Sequence, residues 1–221
     1  MYSKPLALIL AAGVVACVLL TFAAARAPYF PGDLAVARAV QTALSGPTAW
    51  AVWITATADT PGCFILLALT IILAWAISGW RAALLSLPIF FGVWGLGIWL
   101  SPLVAQPRPS ADLIHVVGHP KGYAFPSIFG LIYAATFGYI GLLAEVRLHG
   151  GLRVLIPALA VTALLIGAAA RIVLGAHWPS DLWVAYVMGF VWIGLLMPFS
   201  GADTGARARQ APANKQGAAS A

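Results

Sequence analysis

Charge is scarce in this chain. Asp, Glu, Lys and Arg make up 8% of its 221 residues, while 62% are hydrophobic. A soluble domain carries charge on about a quarter of its positions. A chain this poor in charge cannot clothe a water-facing surface of its own size. Cysteine is nearly absent too. Cys17 and Cys63 each sit in or beside an apolar run, with neither the spacing of a disulfide framework nor partners for a metal site. They read as small buried hydrophobes. Also missing are a glycine-rich nucleotide loop, a dinucleotide fingerprint and a basic stripe interleaved with aromatics. The formal charge of +6 therefore points to membrane orientation rather than to nucleic acid.

What is present is apolar sequence in long runs. Leu6–Ala25 and the segments 61–79, 83–100, 125–144, 154–172 and 182–199 stand out. Each approaches the ~20 residues that, at ~1.5 Å rise, cross a hydrocarbon core of ~30 Å. The first is longer than the apolar stretch of a signal peptide, so it reads as a span. These runs predict an all-α fold, a six-span transmembrane helix bundle. Thr48–Asp59 is too short and polar to cross, and Trp50 and Trp53 within it predict a short interfacial helix after the first span. Residues 1–200 read as a single membrane-embedded domain. Residues 201–221, rich in Ala, Gly and polar side chains without periodicity, read as a disordered tail.

Six crossings put both termini on one side. Lys4, Arg81, Arg147, Arg153, Arg207, Arg209 and Lys215 fall on that side, and Arg26, Arg38, Arg108, Lys121 and Arg171 on the other. The positive-inside rule makes the terminal side cytoplasmic. The expected location is thus a bacterial inner membrane, with the opposite face in the periplasm. Trp80, Trp99, Trp178 and Trp183 lie near span ends, as an aromatic belt would.

The polar chemistry of the chain collects on the periplasmic side. Arg108, Asp112, His115, His119 and Lys121 lie in the loop after the third span, and Arg171, His177 and Asp181 flank the fifth turn. Ionisable groups at membrane depth are costly and mark sites. In Arg171-Ile-Val-Leu-Gly-Ala-His177-Trp-Pro-Ser-Asp181, the histidine occupies the turn between two spans. Asp181 has two roles open to it. It can cap the last span, or it can reach an imidazole N–H, fix the tautomer and leave the other nitrogen to attack. Arg108 sits between Pro107 and Pro109, which stiffen the loop and present a guanidinium suited to phosphate oxygens or to lipid headgroups.

These residues resemble the type 2 phosphatidic acid phosphatase superfamily, whose members include membrane lipid phosphate and polyprenyl diphosphate phosphatases. The likeness rests on Phe30-Pro-Gly-Asp33, Arg108-Pro109, Phe125-Pro126-Ser127 and the Arg171, His177, Asp181 set, in family order. The resemblance implies a histidine nucleophile at His177, oriented by Asp181. It implies phosphate binding and transition-state stabilisation by Arg108 and Arg171, and a phosphate-binding serine at Ser127. It implies no metal and no cofactor, since arginines and a helix N-terminus supply the charge stabilisation.

Two positions depart from the family pattern. Ser101 stands where the family has a lysine, and Pro126-Ser127-Ile128-Phe129 replaces Pro-Ser-Gly-His. Phe129 thus occupies the position of the general acid, a group worth about 10²–10⁴-fold in rate. His115, His119 and Lys121, in the same loop, are the candidates to compensate. The expected activity is that of a phosphatase or phosphotransferase. Its substrate would be a membrane lipid phosphate or diphosphate, of the polyprenyl diphosphate, phosphatidyl or lipid A type, handled through a phosphohistidine. The alternative is a catalytically silent member that binds, transports or senses a lipid phosphate.

Overall fold

Lipid offers no partner to a backbone amide, so every apolar run must close its own hydrogen bonds as a helix. The computed structural model describes residues 4–201 and contains no strand among them. The helices are α1 (Lys4–Ala24), α2 (Asp33–Ala43), α3 (Ala49–Ala56), α4 (Gly62–Ser78) and α5 (Trp80–Val104). They are followed by α6 (Ile128–Tyr133), a π-helical turn (Ala134–Gly138), α7 (Tyr139–Arg147), α8 (Gly151–Val173) and α9 (Pro179–Leu196). The segments α6, π-turn and α7 form one helix, Ile128–Arg147. Five helices are long and apolar enough to cross a membrane, namely α1, α5, Ile128–Arg147, α8 and α9, whose turn continues to Ser200. The 17 residues of α4 make a shorter apolar helix beside them. Each of the six predicted runs thus contains a helix, and the chain is an all-helical membrane bundle.

Around the predicted interfacial segment the structure differs. Two short helices, not one, follow α1. The unforeseen one is α2, which begins at the buried Asp33 and turns Leu34, Ala37 and Val40 inward on a helical period. It packs against α8 and α9. With Arg38 exposed and Gln41 turned inward to donate to the α8 carbonyls of Ile172 and Val173 at 3.0 and 3.3 Å, it is amphipathic rather than uniformly apolar, and a search for spans passes over it. Within α3, Ala51 is buried while Trp53 is 76% exposed, as suits an aromatic ring at the headgroup level. Trp178 leaves the expected belt altogether. It is 1% exposed and lies 4.7 Å from the ring of Tyr29, so it packs the turn before α9.

The helix Ile128–Arg147 is the centre of the bundle. Its span is 78% buried, against 6% for α1. Small residues bring its neighbours close: a Cβ on Gly130 would lie 2.9 Å from that of Ala185 in α9. Such seams replace the hydrophobic drive that lipid cannot supply between helices.

Antiparallel packing of α1 on α9, with Leu10 against Gly194, puts the first and last described residues at one end of the bundle. There Arg147 donates to the Ser78 hydroxyl at 2.9 Å and to the Gly201 carbonyl at 2.6 Å. The opposite end gathers α2, α3, the loop 105–127 and the α8–α9 turn. Residues 202–221 of the predicted tail lie outside the described residues.

Candidate active site

The loop 105–127 starts where α5 stops, at Ala105 with φ +52. Its base is closed by Gln106, whose carbonyl accepts from Ala124 N–H at 2.9 Å and whose side chain donates to the Ala27 carbonyl at 3.1 Å. Arg108 then reaches across. Its Nε donates to the Lys121 carbonyl at 3.0 Å, and its Nη1 to the Ala176 carbonyl at 2.5 Å. The same nitrogen is 3.3 Å from His177 Nε2. The guanidinium therefore ties the loop to the α8–α9 turn.

That turn needs Gly175, whose φ is +63 and where a Cβ would overlap the His115 carbonyl. Val117 N–H bonds to the Leu174 carbonyl at 3.0 Å, sealing the loop onto the turn. His177, 3% exposed, is held at its centre. Its Nδ1 lies 2.9 Å from the carbonyl of Ala124. A carbonyl only accepts, so Nδ1 carries the proton and Nε2 presents its lone pair. Burial, then the charges of Arg171 and Arg108, push the imidazole well below its usual pKa, against the opposing pull of Ala124. The ring is neutral at pH 7.

Of the two roles open to Asp181, helix capping has the shorter bond. Its Oδ2 accepts from Trp178 N–H at 2.8 Å and stands 3.5 Å from His177 Nδ1. The latter is outside the usual N–H···O range. The atom that fixes the tautomer is the Ala124 carbonyl, which no sequence motif can reveal because every residue has one.

Arg171 ends α8 with its Nη1 3.3 Å from Thr55 Oγ1. Its guanidinium sits over the Phe129 ring, 5.4 Å from the centroid. Phe129 in turn stacks on Tyr133 at 4.1 Å, and the Tyr133 hydroxyl bonds to Thr57 at 2.7 Å. The buried Nε of Arg171 has no hydrogen-bond partner, so a donor remains for an anion.

These groups open on one cavity of about 340 Å³. Arg108, Lys121, Arg171, His177, Asp59 and Ser101 line its polar part, and Cys63, Trp94, Ile128 and Ile132 its apolar part. Ser127 is fully buried beneath it. Its hydroxyl accepts from Gly130 N–H at 3.2 Å, capping α6, and its own N–H lies 3.5 Å from the Asp181 carbonyl. Lys121 alone of the three compensation candidates lines the cavity. His115 lines an open groove with Arg38, Gln41 and Asp112, and His119 is exposed elsewhere in the loop.

Asp33 was legible only as part of a resemblance, and the structure gives it a job. Its Oδ1 accepts from Ser180 N–H at 2.9 Å, and its Oδ2 accepts from the Ser180 hydroxyl at 2.6 Å and from Phe30 N–H at 2.8 Å. It pins the start of α9, and with it the turn that carries His177. Among the described residues, no three His, Cys, Asp or Glu side chains gather as a metal-holding group.

The model of the PAP2 superfamily matches residues 82–204, more than half of the chain. No curated protein matches it by sequence. Among solved structures it is similar to the transmembrane PAP2 type phosphatidylglycerolphosphate phosphatase from Bacillus subtilis. The TM-score is 0.68 at 18% identity, over 84% of this chain and 94% of that one. At that identity the likeness shows a shared fold.

Proposed function

The chain belongs to the PAP2 superfamily, and from that premise we propose that it is a phosphatase or phosphotransferase of a membrane lipid phosphate or diphosphate, working through a phosphohistidine at His177. The observation that carries this is the unprotonated Nε2 of His177, 3.3 Å from the Arg108 guanidinium in a cavity that Arg171 also lines. A phosphoryl group there meets a neutral nucleophile and two cations. Phosphoryl transfer needs little beyond positioning and charge stabilisation. Nε2 forms the bond to phosphorus, the bond to the leaving oxygen breaks, and that oxygen departs with the electron pair. Water or an acceptor hydroxyl then takes the phosphoryl group.

Ser127 serves by capping α6, whose N-terminus favours an anion nearby. Asp181 holds the turn next to His177 by accepting from the Trp178 N–H. Phe129 has no proton to give, which favours a diphosphate, whose phosphate-monoester leaving group is stable as an anion. The apolar cavity wall of Trp94, Ile128 and Ile132 suits the first carbons of a lipid chain. The site faces the periplasm of a bacterial inner membrane, with the termini cytoplasmic.

Ser101 and Phe129, at two family positions, favour a second reading, that of a silent lipid-phosphate binder. One assay separates the two. Purified protein is incubated with phosphatidic acid, phosphatidylglycerol phosphate, polyprenyl diphosphate and lipid A, alongside His177→Ala. Phosphate release or transfer by the wild type, abolished in the variant, is the expected outcome. Binding that weakens in Arg108→Ala, without turnover of any lipid, would establish the binder instead.

A further inference from the structure

Hydrolysis of a phosphohistidine needs a base to take the proton of water, and the Phe129 ring cannot accept one. Apart from His177, the cavity is lined by four side chains able to exchange protons: Asp59, Cys63, Lys121 and Tyr123. Among these, the carboxylate is the group whose two oxygens are built to accept a proton. Asp59 is the one carboxylate on this wall.

The segment that carries Asp59 is fastened to the site on both sides. Thr55 Oγ1 accepts from Arg171 Nη1 at 3.3 Å. Thr57 bonds to the hydroxyl of Tyr133 at 2.7 Å, and that ring stacks on Phe129 at 4.1 Å. The Asp59 carbonyl accepts from Cys63 N–H at 2.9 Å. The chain doubles back so closely that a Cβ on Gly62 would overlap the Ala56 carbonyl. The backbone is therefore fixed, while the carboxylate is exposed to the cavity and makes no hydrogen bond or ion pair among the described residues.

We propose that Asp59, from the α3–α4 connection, is the catalytic base that activates water against the phosphoryl group on His177. The step rests on the function proposed above and balances without a further reactant. A water O–H proton passes to the Asp59 carboxylate, and the water oxygen forms a bond to phosphorus. The P–Nε2 bond breaks, and its electron pair returns to the imidazole. Phosphate leaves, and the Asp59 proton goes to solvent. Arg171, lining the same cavity, offsets the repulsion between the carboxylate and the phosphoryl oxygens. The proton function absent at position 129 is thus supplied from a different wall.

The test follows the terminal phosphate of ³²P-labelled farnesyl diphosphate on the full chain in detergent by rapid quench. Asp59→Asn is expected to release one farnesyl monophosphate per site in a burst. Turnover then slows by about 10²–10⁴-fold, the usual contribution of a positioned base. Acid-labile, alkali-stable label should stay on the protein, and adding His177→Ala should remove it. Asp59→Glu should recover part of the turnover. Turnover at the wild-type rate in Asp59→Asn overturns the proposal. So does a folded Asp59→Asn protein whose burst and turnover fall together, since a merely structural residue would act on both. A wild type with neither burst nor turnover here, nor with any lipid of the panel above, overturns the proposed function itself, and the role of Asp59 with it.

Discussion

Phe129 shows how a residue that breaks a motif can still serve the site. Its ring lies between the Arg171 guanidinium, 5.4 Å from its centroid, and Tyr133, stacked at 4.1 Å. The negative face of an aromatic ring attracts a cation by about 0.5–2 kcal/mol, more where water is excluded. Phe129 thereby holds Arg171 over the cavity. Phe129→Leu keeps the apolar bulk and removes the quadrupole. It is expected to lower kcat/KM for farnesyl diphosphate by roughly 2- to 30-fold, the rate equivalent of that energy, chiefly through KM. Steady-state kinetics, with a melting curve as control for folding, measure it. At this scale Arg108, Arg171 and His177 were legible because their types and spacing carry the chemistry. The Ala124 carbonyl was not, since backbone groups leave no mark in a sequence. Asp59 was not, because only the fold of the α3–α4 connection brings it to the arginines.

Among the helices, the decisive joint lies between α2 and α9. The turn after α8 carries His177, yet its position is set by Asp33, at the start of α2, which accepts three hydrogen bonds from Phe30 and Ser180. Asp33→Ala leaves these half-buried donors without a partner, at up to about 1–3 kcal/mol for each one unsatisfied. The expected result is a lower Tm and a fall in activity larger than the loss of folded protein, because the imidazole loses its register with Arg108. Asp33→Asn, which keeps an acceptor oxygen, should fall between the two. Thermal unfolding and phosphate release on the same preparations read both effects. The spans were legible because a bilayer demands ~20 apolar residues from each. Helix α2 was not, because 11 residues with Arg38 among them meet no such demand and fold only against α8 and α9.

For the molecule as a whole, the open quantity is which way the bundle faces. Lys4, Arg81, Arg147 and Arg153 lie at the end that holds the first and last described residues, and Arg207, Arg209 and Lys215 follow in sequence. The other end has Arg26, Arg38, Arg108, Lys121 and Arg171. A bare count of seven against five orients weakly, but the structure sorts the five by what holds them. Arg108 and Arg171 line the cavity, and Arg38 donates twice to the Leu113 carbonyl, at 3.1 and 3.0 Å. Those three are committed to architecture and chemistry. On the terminal side Arg147 is held by Ser78 and Gly201 and Arg153 by Glu145, and with those set aside too, Lys4, Arg81, Arg207, Arg209 and Lys215 against Arg26 and Lys121 still favour the terminal side as cytoplasmic. In a background without Cys17 and Cys63, His115→Cys is expected to react with a membrane-impermeant maleimide in cells whose outer envelope is permeabilised. His149→Cys, exposed in the α7–α8 turn, is expected to react only after the inner membrane is lysed. Both positions lie outside the cavity lining, so neither substitution should disturb the site. Labelling of His149→Cys but not His115→Cys in unlysed cells would invert the orientation, and the lipid phosphate would then be drawn from the cytoplasmic leaflet.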